Sequence, residues 1–146
     1  MDKQRVTRRI RLAVEKRARR CCEYCLSQLD FTTEFFSVEH VVPRSKGGAI
    51  RLSNLALSCQ LCNGHKSDKT TGIDPVSGKR VPLFNPRKQH GHEHFGWSED
   101  FLKIYGLTST GRATVEILQL NHKQRVNLRR VLCASSEHPP EIFFSG

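Results

Sequence analysis

Between residues 4 and 19 apolar side chains recur at Val6, Ile10, Ala13 and Val14, the i, i+4, i+7, i+8 stripe of an amphipathic helix. Its other faces are almost wholly Arg and Lys. After "CCEYC" and a polar stretch comes "FFSVEHVV", aromatic and β-branched enough to read as a strand. "PRSKGG" breaks it into a loop, and "NLALS" is a second short strand. From Cys59 or Cys62 to about Lys69 the polar run has few breakers and reads as a helix. The predicted order is therefore strand, loop, strand, helix. Residues 71–92, rich in Gly, Pro and Asn, read as an extended wrapping segment or linker. Residues 94–120 alternate, with Gly106 and Gly111 as turn points and "RATVEILQL" as a strand; Asn121 is placed to cap a final helix, "HKQRVNLRRVL". The chain divides into a basic helix at 1–20, a compact core at 21–70 and an extension at 71–146.

For 146 residues the apolar content, 37%, is lean for one self-sufficient core, which turns attention to the six cysteines. The N-terminus is too charged for a secretory h-region, and no apolar run approaches the roughly 20 residues that span a bilayer. A cytoplasmic location with reduced thiols is expected, where paired cysteines point to metal binding more than to disulfides. The formal charge of +10, concentrated at 3–20, 44–51, 66–88 and 123–130, suits a polyphosphate partner and predicts nucleic acid.

Cys22-x-x-Cys25 and Cys59-x-x-Cys62 have the spacing that lets both thiolates of a pair reach one ion. Two such knuckles make a four-thiolate tetrahedral site, closed to substrate and hence structural, and zinc ligation would supply folding free energy that the thin core lacks. Cys21 can replace Cys22, but Cys22 gives the standard spacing. A redox pair would sit at a βα junction of a thioredoxin-like pattern, which the sequence does not have. Unligated buried thiols are the remaining alternative. Cys133 stands alone and reads as a core residue.

The 33 residues between the knuckles contain the adjacent pair Glu39-His40, with Asn54 fifteen residues after Glu39 and Asn63 nine residues after Asn54. On a strand, neighbouring side chains point to opposite faces. Where the strand twists or ends, a carboxylate can hold a hard cation while the imidazole works from the other side. "EHVVPRSKGG … LSNLALSCQLCN" resembles the HNH endonuclease motif, and the flanking knuckles are similar to those of stand-alone bacterial and phage HNH proteins. The resemblance covers roughly residues 20–70. It implies an α+β fold whose core is a zinc-stapled ββα-metal unit, with the N-terminal helix and a C-terminal strand and helix extension added. It implies that His40 is the general base, Glu39 the first metal ligand, Asn54 the central Asn that organises the loop and Asn63 the second metal ligand. The activity implied is hydrolysis of DNA phosphodiester bonds, leaving 3′-OH and 5′-phosphate ends.

A neutral imidazole suits the base at pH 7, and a site of one carboxylate and one amide oxygen suits Mg²⁺ or Mn²⁺ more than Zn²⁺. Arg44, Lys46, Lys66 and Lys69 are the candidates for gripping phosphates. His65 and Ser67 share the predicted helix, His90, His92 and His94 read as a polar loop, and Trp97 as core. The alternative reading is a non-catalytic zinc-ribbon module that binds nucleic acid. It shares the cysteines and the charge but leaves His40, Asn54 and Asn63 together unexplained.

Overall fold

The computed structural model describes residues 5–141 and folds as two units, Met1–Thr70 with Asn85–Lys88, and Thr71–Phe84 with Gln89–Gly146. The first four residues of the predicted basic helix lie outside the described part.

In the first unit, helix α1 (Arg8–Arg17) starts where the Thr7 hydroxyl accepts the Ile10 amide and ends with Lys16 and Arg17 near its carbonyls. Both termini suit the backbone groups left unpaired there. The face turned inward carries Ile10, Val14 and Ala18, while Ala13 is exposed, so the buried stripe runs at i, i+4, i+8. Val14 is fully buried and α1 packs against a strand reached much later in the chain. Arg17 helps tie them together by donating to the carbonyls of Leu52 at 2.8 Å and Leu55 at 2.6 Å.

Strands β1 (Ser37–His40) and β2 (Leu55–Ser58) pair antiparallel in the register Ser37 to Ser58, Val38 to Leu57, Glu39 to Ala56 and His40 to Leu55. All four residues of β2 are buried, because α1 covers one side and the cysteine knuckles occupy the region around its end. Helix α2 (Gln60–Lys66) follows at once and packs on β1. The strand, loop, strand, helix order is thus present, with the helix stopping at Lys66 because Ser67 takes a positive φ of 51°.

The second unit holds a hairpin of β3 (Thr71–Ile73) and β4 (Arg80–Pro82), a short helix α3 (Gly91–His94), and a hairpin of β5 (Phe95–Trp97) and β6 (Ile104–Gly106). Helices α4 (Ser109–Leu118) and α5 (Lys123–Ala134) follow. The supposed wrapping segment therefore contains a hairpin. Its turn is built by Asp74, whose carboxylate accepts the amides of Val76 and Ser77 and is held by Arg112 at 2.9 Å through both oxygens.

"RATVEILQL" is a helix and not a strand. Its β-branched residues favour a strand locally, but Thr108 caps a helix by accepting the Gly111 amide at 3.0 Å. Buried Gly111, Thr114 and Leu118 repeat at the helical period. Gly111 lies inside this helix and does not mark a turn: a Cβ there would come within 2.1 Å of the His94 carbonyl oxygen. Asn121 does not cap α5; it bonds both backbone groups of Ile104, and the His122 ring accepts the Gln124 amide instead. Two basic residues of the 123–130 cluster, Arg125 and Arg129, are buried and donate to the carbonyls of Leu118, Gln119 and Leu120 at the end of α4.

Candidate nuclease site on a cysteine-stapled core

The cysteine knuckles are positioned by tight backbone geometry. At the first, Leu26 adopts a positive φ of 62° and donates its amide to the Cys22 carbonyl, turning Cys25 back toward Cys22. Glu23 then fastens this turn to β2: its amide donates to Leu57, and its carboxylate accepts the Leu57 amide at 2.8 Å and pairs with Arg87. At the second, Cys59 precedes α2 and its sulfur accepts the Cys62 amide at 3.4 Å. The four Sγ atoms of Cys22, Cys25, Cys59 and Cys62 all lie within 4.8 Å of one another, and all four residues are buried.

One ion bound tetrahedrally by thiolates at about 2.3 Å requires sulfurs about 3.8 Å apart, and the Cys25–Cys59 separation is 3.6 Å. The donor set and its spacing therefore fit one structural zinc ion. Without a cation, burial and the neighbouring sulfurs push the Cys22 and Cys62 thiols well above their ordinary range; a bound divalent ion reverses that balance and holds them as thiolates. Cys21 is buried but outside the cluster, and its sulfur faces the Arg19 carbonyl. Cys133 is half-buried and belongs to the second unit.

His40 ends β1, and its Nε2 is a buried atom with no hydrogen-bond partner among the described residues. Burial, and secondarily the nearby Arg44 guanidinium, lowers its pKa from the ordinary value. The loop that follows is held by Asn54. Its carboxamide oxygen accepts the Val42 amide at 2.9 Å, and its nitrogen donates to the carbonyls of Val42 at 3.1 Å and Ala49 at 3.0 Å. Its own carbonyl accepts the amide of Val41, the residue after His40. The two glycines of "SKGG" serve the same loop. Gly47 has a φ of 88°, and a Cβ on Gly48 would come within 1.7 Å of the Val42 carbonyl oxygen. Arg44 and Lys46 are exposed on the single turn between.

Glu39 is placed differently from a ligand that converges with His40. As the strand alternation requires, it faces away from its neighbour, and it is only 6% exposed. Its carboxylate accepts the Tyr24 hydroxyl and lies 3.6 Å from the Lys66 ammonium. Burial raises its pKa, opposed by Lys66 and Tyr24. Lys66 is 1% exposed and donates to the Val41 carbonyl at 3.0 Å, so it is a core residue and not a phosphate contact. A lysine on a short polar helix is expected at a phosphate or in solvent, but the pairing of α2 with β1 turns that face inward.

Asn63 lies one turn before Lys66 on the same side of α2. It is half-buried, and its carboxamide makes no hydrogen bond among the described residues. Lys69 is exposed and donates to the His65 carbonyl. Of the expected ligand pair, Glu39 is engaged by Tyr24 and Lys66, while the Asn63 carboxamide is unbonded among the described residues. Tyr24 escaped the sequence reading, although its place between the two cysteines of the first knuckle ties it to the core.

The sequence profile of the HNH endonuclease family matches residues 22–69. The chain is also 30% identical over 125 residues to the Septu protein PtuB of Bacillus thuringiensis, an alignment covering 84% of this chain and 45% of that protein. The chain thus spans less than half the length of this curated relative. No solved structure matches the chain. Four clustered thiols, the paired strands and the following helix coincide with the matched segment. Residues 22–69 therefore form a domain of the HNH endonuclease family.

Proposed function

We propose that this chain is a metal-dependent endonuclease that hydrolyses DNA phosphodiester bonds with His40 as general base. The observation that carries this reading is the His40 ring: a buried Nε2 without a partner among the described residues, at a strand end beside a loop held by Asn54. Its lowered pKa keeps the imidazole neutral at pH 7 and able to accept a proton. Nε2 removes a proton from a water whose oxygen attacks phosphorus, and the bond to the 3′ oxygen breaks. That oxygen takes a proton from solvent water to leave as 3′-OH, the other end keeps a 5′-phosphate, and His40 returns its proton to solvent. Asn54 fixes the backbone on which His40 is carried, and Arg44, Lys46 and Lys69 are exposed cations for the flanking phosphates. A divalent cation, Mg²⁺ or Mn²⁺, would stabilise charge on the leaving oxygen, with Asn63 its candidate protein ligand.

The test is relaxation or linearisation of supercoiled plasmid with Mg²⁺ or Mn²⁺, with and without chelator. His40→Ala is expected to abolish cleavage while DNA affinity, read by gel shift, stays nearly intact. Equal loss of both would give His40 a binding or structural role instead. The engagement of Glu39 by Tyr24 and Lys66 favours a second reading, a zinc-stapled module that binds nucleic acid without cutting it. Under that reading the wild-type chain shifts DNA but leaves the plasmid supercoiled at every metal concentration.

A further inference from the structure

We infer that Tyr24, Glu39 and Lys66 form a buried clamp that positions His40, and that Glu39 is not a ligand of the catalytic cation. The positioning half rests on the reading of His40 as the base; the clamp itself rests on geometry alone.

Three features carry it. First, the clamp joins the three pieces of chain around the site. Tyr24 comes from between the cysteines of the first knuckle, Glu39 from β1 and Lys66 from the last turn of α2. None of the three is more than 6% exposed. Second, Lys66 grips both neighbours of His40. Its ammonium lies 3.6 Å from the Glu39 carboxylate and donates to the Val41 carbonyl at 3.0 Å. One nitrogen therefore meets the residue before the base through its carboxylate and the residue after it through its carbonyl, while the Asn54 carbonyl receives the Val41 amide.

Third, the charges leave Glu39 no freedom to serve elsewhere. Lys66 has no other acidic partner among the described residues. A carboxylate swung across the strand to the His40 side would abandon an ammonium in the interior and leave the Tyr24 hydroxyl without its acceptor. Removing one member of a buried ion pair costs far more than removing both, because the remaining charge is left without compensation. A Gln at position 39 keeps an oxygen that accepts from Tyr24 and Lys66, but it is a poorer donor to a hard cation. This makes the two roles of Glu39 separable.

The experiment compares the full-length wild type, Glu39→Gln, Lys66→Met and the double variant, all loaded with zinc. Plasmid cleavage is titrated with Mn²⁺ well below each unfolding midpoint, and thermal unfolding is followed in parallel. The clamp predicts that Glu39→Gln cleaves with an unchanged Mn²⁺ half-saturation; a rise of about tenfold or more would mark a lost ligand and overturn the proposal. It predicts that Lys66→Met lowers kcat about tenfold or more through misplacement of the base, with KM for DNA unchanged. An unaltered kcat with a lowered midpoint would make Lys66 merely structural and would also overturn it. In unfolding, the double variant should lose less than the sum of the two singles, whereas strict additivity contradicts a buried pair. That cycle needs no cleavage. If the wild type proves inert, the nuclease reading falls, and the midpoints still decide whether the clamp exists.

Discussion

In the proposed mechanism His40 can act as a base because its surroundings disfavour its charged form. Burial and Arg44 both oppose a proton on the ring, so the folded pKa lies below the unfolded value near 6.5. The unfolded chain then binds the proton more readily, and His40 contributes stability that is lost as pH falls through that window. For cleavage, the acidic limb of the kcat/KM profile should have its midpoint below about 6.5. Arg44→Ala should shift that midpoint upward by removing the repulsion, and a downward shift would contradict the electrostatic account. The spacing of His40, Asn54 and Asn63 was legible because it is sequence information. The burial of Lys66 was not, since its partners, Glu39 on β1 and Val41 just after it, lie 25 or more residues earlier. A lysine in a short polar helix carries no local mark of that pairing.

At the level of elements, β1, β2 and α2 were readable because their patterns agree with their environments. The α4 segment misled because its β-branched composition and its capping chemistry point in opposite directions, and tertiary burial decided for the helix. Likewise, the predicted linker holds a hairpin because Asp74 finds Arg112, 38 residues later, and that pairing lowers the Asp74 carboxyl below its usual range. The two knuckles bracket β1 and β2, so removing the ion should loosen both. One zinc per chain is expected by elemental analysis of wild type and of Cys21→Ser, while Cys22→Ser should lose it together with cooperative unfolding of this core. Equal metal content in the two serine variants would dismiss the assignment of Cys22 over Cys21.

Across the whole molecule the charge of +10 supplies long-range attraction to phosphates, but the structure sorts its sources. Arg125, Arg129 and Lys66 are buried and engaged, whereas Arg44 and Lys46 stand exposed beside the candidate base. In a plot of log affinity for DNA against log salt, Arg44→Ala and Lys46→Ala should each flatten the slope by about 1. Lys66→Met should leave the slope unchanged, and an equal flattening would return it to the DNA surface. Among the described residues no helix is long and apolar enough to cross a membrane. The return of Asn85–Lys88 to the first unit has a practical corollary. The matched segment stops at residue 69, yet Arg87 is the partner that compensates Glu23, and Glu23 fastens the first knuckle to β2. A fragment ending at residue 70 should therefore melt below one ending at 88, and identical midpoints would show that Arg87 is dispensable. Whoever trims this protein to its smallest folded piece should cut after the returning strap, because the boundary of a family is drawn by recurrence and the boundary of a foldable object by its last indispensable counter-charge.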